Sequence, residues 1–111
     1  SRGRAVDMHP LNLPNRGQLP GLPDGAIVET PVDVDADGVH PRTCPLPEPA
    51  AEMCRGAAAV TDAIVRAGLD RDRSLVHLAV ELDPTILDKP TGRKALDACL
   101  AAHADMIGPF A

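Results

Sequence analysis

The residues Asp33-Val34-Asp35-Ala36-Asp37-Gly38 have the types and spacing of the first half of a calcium loop, Asp-x-Asp-x-Asp-Gly. Such a loop gathers hard oxygen ligands and closes on a bidentate glutamate at its twelfth position, where this chain has Cys44. Strand-like sequence precedes it, where a calcium loop has a helix. A turn of solvated carboxylates accounts for the same residues, and a calcium-binding module built on Asp33, Asp35 and Asp37 stays open beside it. Cys99 and His103 stand one helical turn apart and can face one way, but two ligands fall short of the three that a metal site needs. A packed thiol beside a partly exposed imidazole is the plainer reading. Cys44, Cys54 and Cys99 are an odd set without close spacing, which suits buried or inert thiols better than a disulfide framework. His9, His40 and His77 have no partner at ligand spacing, and no glycine-rich phosphate loop, nucleophile elbow or paired-cysteine zinc motif occurs. By its own residues the chain has no self-contained active site: no catalytic, cofactor-binding or metal residue can be assigned.

The stretch best built for presenting side chains is Asn12 to Pro31. Proline holds φ near −65° and glycine opens positive φ, so its first half reads as a loop with few backbone choices. Asp24-Gly25 signals a turn, and Ile27-Val28 enters a strand. A fixed loop lowers the ordering cost of binding, although most loops only connect.

The elements that must position this loop follow from periodicity. Ser1 to Met8 is polar and reads as frayed or extended, and His9-Pro10 leads into the loop. Val28, Thr30, Val32 and Val34 share one face of a strand. Pro31 cannot donate to a ladder, so this strand is expected at an edge or bent there. Asp35 to Gly38 is a turn, and Val39 to Arg42 returns as a short second strand. Prolines 45, 47 and 49 forbid regular structure until the helical part. There Met53, Ala57, Val60, Ile64 and Ala67 make one apolar helix face, with Gly68 as the stop. Asp70 to Ser74 offers caps for a second helix, buried through Leu75, Leu78, Ala79 and Leu82 and ended by Pro84. Thr91 caps a third, lined by Leu96, Cys99, Leu100 and His103 and closed by Gly108-Pro109. The expected architecture is α+β: an N-terminal loop and short antiparallel hairpin over 9–47, then about three amphipathic helices over 48–108, in a single domain or fragment.

Composition bounds what such a chain can do. Its 111 residues are 44% hydrophobic, yet Phe110 is the only aromatic residue, with no Tyr and no Trp. The core must be made of small aliphatic side chains, and a piece with so little large apolar volume is expected to lean on a neighbour. A net charge of −5 argues against nucleic acid and anionic membranes. No apolar run reaches membrane-spanning length, and no signal peptide is visible, so the cytoplasm is the expected location. The chain starts Ser1-Arg2-Gly3 rather than with Met, which suggests a piece of something longer.

The order of the short motifs adds a resemblance. Asn12-Leu13-Pro14-Asn15-Arg16-Gly17, then Leu22-Pro23-Asp24, then Ala26-Ile27-Val28-Glu29-Thr30-Pro31 resembles the loop and strand that open the last third of glycoside hydrolase family four enzymes. Asp35-Ala36-Asp37-Gly38-Val39-His40-Pro41, Arg71-Asp72-Arg73 and Leu82-Asp83-Pro84 continue it. Leu100-Ala101-Ala102-His103-Ala104-Asp105-Met106-Ile107 is similar to the end of the family's α-galactosidase and α-glucosidase branch. The likeness runs from about His9 to Gly108. Two departures stand out: Val65-Arg66-Ala67-Gly68 replaces the usual Val-Glu-Ala-Ala, altering a charge on a helix face, and Met106 stands where many members have an aromatic, thinning an apolar contact.

The resemblance implies the C-terminal portion of an NAD-dependent glycosidase, a family outside the usual two-carboxylate hydrolysis. In that family NAD oxidises the sugar 3-hydroxyl, a base, typically a tyrosine, removes the C2 proton, the aglycone is eliminated, and manganese held by a Cys and His site acts as Lewis acid. The nucleotide loop, metal site and tyrosine lie upstream of the matching segment, and this chain has no Tyr. NAD and manganese are therefore expected for the complete enzyme and neither for this chain alone. The implied partners are an upstream nucleotide-binding domain, on the same or another chain, further copies in a homo-oligomer, and a sugar whose pocket this portion helps to wall. Asn12, Asn15 and Arg16 are the candidates for facing that pocket, since amides and a guanidinium can bind sugar hydroxyls. The alternative is a stand-alone binding or scaffold module that kept the fold without the chemistry.

Overall fold

The computed structural model describes residues 6–111, with the side chains described from His9 onward. The expectation for the first residues lies outside the described residues up to Ala5; from Val6 the chain is already strand. The chain divides into two compact units, one reaching to Arg55 and one starting at Gly56.

The first unit is a three-stranded antiparallel sheet in the order β1 (Val6–Pro14), β2 (Ile27–Asp35), β3 (Gly38–Pro41). The rigid loop is therefore shorter than its composition suggests. Asn12, Leu13 and Pro14 are strand, paired with Glu29, Val28 and Ile27, and the loop spans 15–26. Leu11 and Leu13 alternate with exposed Asn12, and that local pattern prevails over the nearby prolines. The expected face of β2 forms, with Val28, Thr30 and Val32 all buried.

Pro31 does not place β2 at an edge; β2 is the central strand. The register shifts between Met8 and Leu11, so that His9 and Pro10 together lie opposite Pro31. Two residues that lack an N–H thus share one irregularity in the ladder, where no donor is required. On its other side Pro31 needs only its carbonyl, which accepts from the Arg42 N–H at 2.9 Å. The β2–β3 hairpin forms as expected, with Asp35 opposite Gly38.

Helix α1 (Glu48–Asp70) begins in the first unit, where Ala51 is buried, and continues into the second, where Ala63 and Ala67 are buried. This corrects the expected stripe: Met53 is 77% exposed and Ile64 57% exposed. Of the residues on that stripe only Ala67 is buried; along the helix it is the small residues Ala51, Ala63 and Ala67 that are covered, while Met53 and Ile64 stay largely outside. The helix also passes Gly68 and runs to Asp70. It stops where Arg71 takes a left-handed φ of 53° and the Asp72 N–H bonds back to the Ala67 carbonyl at 3.2 Å.

Helix α2 (Arg73–Leu82) is capped by Asp72, whose carboxylate accepts from the Ser74 N–H at 2.7 Å. Its buried residues are Ala79 and Val80, while Leu78 and Leu82 are 43% and 41% exposed. Helix α3 (Lys89–Ala102) is capped by Asp88 rather than Thr91. The Asp88 carboxylate accepts from both the Thr91 N–H and its hydroxyl, and Pro90 fits the first turn, where no N–H is needed. A one-turn α4 (Ala104–Ile107) follows and ends at Gly108.

Helices α2 and α3 are joined by polar ties over their flanks. His77 Nε2 lies 3.0 Å from an Asp97 oxygen, Arg73 reaches the same oxygen at 3.6 Å, and Arg93 pairs with Glu81. The Lys89 ammonium donates to the Val80 and Asp83 carbonyls, occupying acceptors that the end of α2 leaves open. The C-terminal tail is tied back to the α1–α2 joint: Arg73 N–H donates to the Ala111 carbonyl at 2.8 Å and Ala111 N–H to the Arg71 carbonyl at 2.9 Å. The core is accordingly one of valine and alanine, as a chain with a single aromatic requires.

Candidate functional site

The loop between β1 and β2 is organised from within by Asn15. Its side chain is 1% exposed, and its amide NH₂ donates to the Leu19, Leu22 and Pro23 carbonyls at 3.1, 3.1 and 3.3 Å. Its carbonyl oxygen accepts from the Gly17 and Leu19 N–H groups at 3.3 and 3.1 Å. The Asn15 backbone closes the base of the loop, its N–H donating to Ala26 and its carbonyl accepting from Gly25. Gln18, also buried, adds a second clamp. Its Nε2 donates to the Pro14 carbonyl at 2.8 Å, its Oε1 accepts from the Arg16 N–H at 2.5 Å, and its backbone carbonyl accepts from the Cys44 N–H at 2.7 Å. Gly17 completes the turn at φ +102°, a conformation that a side chain would strain.

These clamps hold Arg16 outward. It lines a cleft of about 460 Å³ with Leu13, Pro14, Gly17, Gln18, Val39, Pro41 and Thr43. The guanidinium makes no hydrogen bond or ion pair among the described residues, and none of the other lining side chains is charged. Of the three residues expected at a sugar pocket, the structure brings Arg16 to the cleft. Asn15 lies inside the loop, with both ends of its amide already in use. Asn12 is exposed on β1 opposite Glu29 and does not line the cleft. Gln18 and Thr43 are the members that sequence reasoning missed. Thr43 reaches the cleft only because the chain after β3 is tied to the loop, a pairing that no local pattern announces.

The acidic turn is arranged as a hairpin. Asp35 accepts from His40 Nε2 at 2.9 Å and from the Asp37 N–H at 2.8 Å, while Asp33 is paired with Arg42. The bond to Asp35 raises the His40 pKa above its ordinary value, and the bond from Arg42 holds Asp33 below the usual carboxylate range. Asp33 and Asp35 are thus engaged with basic side chains instead of converging on a common point. Among the described residues no three His, Cys, Asp or Glu side chains come together as a metal site would need. Cys99 and His103 are both exposed. The described residues therefore do not fit a manganese ion, nor do they include a glycine-rich turn of the kind that cradles a dinucleotide.

Together these features define the class: a small α+β domain that presents a clamped loop with Arg16, whose guanidinium has no carboxylate partner among the described residues. The chain belongs to the family 4 glycosyl hydrolase C-terminal domain, which its residues 3–86 match. The same fold occurs in the crystal structure of a 6-phospho-alpha-glucosidase from gut microorganisms, solved in complex with NAD and glucose-6-phosphate. The two superpose with a TM-score of 0.80 at 23% sequence identity, covering 93% of this chain and 24% of that one. The chain thus spans about a quarter of the length of that enzyme.

Proposed function

We propose that this chain is the C-terminal-type domain of an NAD-dependent glycosidase that cleaves glycosidic bonds by oxidation and elimination. In that enzyme it walls the sugar pocket and supplies contacts to the nucleotide-binding domain and between copies. The observation that carries the reading is membership of the family 4 C-terminal domain, joined to a cleft that has a binding group but no reacting group. When bound by the rest of the enzyme, NAD and manganese would supply redox and Lewis-acid chemistry. The part left to this chain is positional. Asn15 and Gln18 fix the loop backbone, and the fixed loop presents Arg16, with Thr43 beside it, toward a sugar. Asn12 is available only on the opposite exposed face of β1, for a ligand or domain that reaches past the sheet. An enzyme that uses NAD would place the protein in the cytoplasm; among the described residues no helix is long and apolar enough to cross a membrane.

The test is an assay of the purified chain and of the complete enzyme on nitrophenyl α-glycosides, each with NAD and manganese added. The complete enzyme is expected to turn over one of them, and the chain alone none. Turnover by the chain alone would overturn the division of labour, and tight sugar binding with no nucleotide-binding domain in the protein would favour a stand-alone binding module.

A further inference from the structure

Helix α1 is the element shared by the two compact units, which part within it between Arg55 and Gly56. No residue from Glu52 to Asp62 is buried, so roughly three turns run from buried Ala51 to buried Ala63 without a buried side chain to brace them. Gly56 stands in that stretch. A glycine in a helix interior weakens the helix relative to alanine, because its backbone gives up more freedom on folding. Close packing can explain such a glycine, and it does for Gly92 in α3, where a Cβ would lie 2.8 Å from Ile86 Cγ2 and 3.2 Å from Val80 Cγ1. It does not for Gly56, where a Cβ would meet nothing within 4 Å and φ is not left-handed. The other glycine of α1, Gly68, is equally open but lies in the last turn, away from the boundary. Just past Gly56 the Thr61 hydroxyl donates to the Ala57 carbonyl at 2.9 Å, a bond back to residue i−4 that tends to bend a helix. Ion pairs lie to either side, Glu48 with Arg55 before the boundary and Asp62 with Arg66 after it.

We propose that α1 is a hinge: it bends at Gly56, and the sheet unit and the helical unit turn as separate bodies about that point. The unbraced stretch, the glycine without a packing role and the hydroxyl back-bond all lower the resistance to bending in the same few residues. The clamps of Asn15 and Gln18 and the residues lining the cleft all belong to the sheet unit, so a bend at Gly56 carries the cleft as a whole and leaves its geometry intact. The apolar groove lined by Ile64 and Phe110 belongs wholly to the helical unit. Such a hinge lets one unit close on a ligand while the other stays seated on a neighbour. The motion needs no sugar chemistry, and it stands or falls apart from the glycosidase reading.

The experiment places nitroxides on Cys99 and on Ala36→Cys at the hairpin tip, both exposed, with Cys44→Ser and Cys54→Ala, and reads the distance between them by pulsed EPR. The labelled chain is diluted with unlabelled copies, so that only distances within one copy are read. Gly56→Ala and Gly68→Ala both enter open space, so both variants should fold. With Gly56 in place a broad distribution is expected, with Gly56→Ala a narrower one, and with Gly68→Ala one as broad as the first. Amide exchange at Ala58 to Val60 should slow about fivefold in Gly56→Ala, the helix preference of alanine over glycine expressed as a rate, and not in Gly68→Ala. A single narrow distance with Gly56 in place, or a width unchanged in Gly56→Ala, overturns the hinge. So does an equal narrowing in Gly68→Ala, which would mean that the strength of α1 at large, not Gly56, sets the motion.

Discussion

At the scale of single residues, the side chains that matter here mostly hold other groups in place. Asn15 is the clearest case: five loop bonds converge on one buried amide. Asn15→Ala would leave several backbone groups unsatisfied, and it should cost about 2–4 kcal/mol in denaturant unfolding. A cost below about 0.5 kcal/mol would mean that the loop is held from elsewhere. Gly108 is a second case. It sits at φ +74°, and a Cβ there would lie 1.7 Å from the Arg71 guanidinium. Gly108→Ala should cost about 1–2 kcal/mol from backbone strain, with the flexible arginine moving aside. Restoration of stability in the double variant with Arg71→Ala would show instead that the clash dominates. His40 gives a pH-dependent readout. Its pKa is raised by Asp35, so its contribution to hairpin stability is full below the ordinary value near 6.5 and is lost as pH rises through the higher folded value. Asp33 and Asp35 are lowered, so theirs is full above 3.8 and is lost as pH falls through the lower folded values. Titration of His40 by NMR should therefore give a value above that of a free histidine, and Asp35→Asn should bring it down.

At the scale of elements, the helical unit buries its small residues and leaves its large ones at the surface. Val80 is 1% exposed and Ile64 is 57% exposed. Val80→Ala should cost about 2 kcal/mol in the isolated chain, through lost transfer energy and a cavity. Ile64→Ala should cost less than about 1 kcal/mol there, because little surface is removed from water. Ile64 nevertheless lines an apolar groove of about 420 Å³ with Val60, Val76, Leu96, Leu100 and Phe110. If that face is covered in the complete enzyme, the cost of Ile64→Ala should rise there by at least about 1 kcal/mol. Equal costs in the two settings would show that the groove stays open to solvent.

At the scale of the whole molecule, the exposed apolar residues extend over both units. Ile27, Val39, Met53, Leu69, Leu87 and Met106 all show a large part of their surface. Monomeric proteins seldom leave that much aliphatic surface uncovered without a partner. If the chain is part of a longer enzyme, as proposed above, the rest of that enzyme would be the cover. Sedimentation of the pure chain is expected to show association that increases with concentration, relieved when the nucleotide-binding domain is supplied. A monomer across a wide concentration range that does not bind that domain would sink this expectation.

Several features were legible in the sequence because they depend on neighbours along the chain. Alternation at Val28, Thr30 and Val32 set the face of β2, Asp35 to Gly38 set the hairpin, and Asp72 set the start of α2. The lack of aromatics foretold a valine and alanine core, and the ordered motifs from Asn12 to Pro84 carried the family. What the sequence left undecided depends on groups far apart in the chain. Whether a helix buries its isoleucine or its alanines depends on how closely another element can approach, so the face of α1 at Ile64 was misread. Pro31 can sit in the central strand because another proline, Pro10 of β1, falls opposite it at the register shift, and only pairing brings the two together. The three candidates Asn12, Asn15 and Arg16 are chemically similar neighbours in sequence, and tertiary structure assigned them to three places: an exposed strand face, the inside of a loop and a cleft. Hydrogen-bond saturation removed Asn15 from the set of available donors, and the lack of a carboxylate partner among the described residues left Arg16 in it.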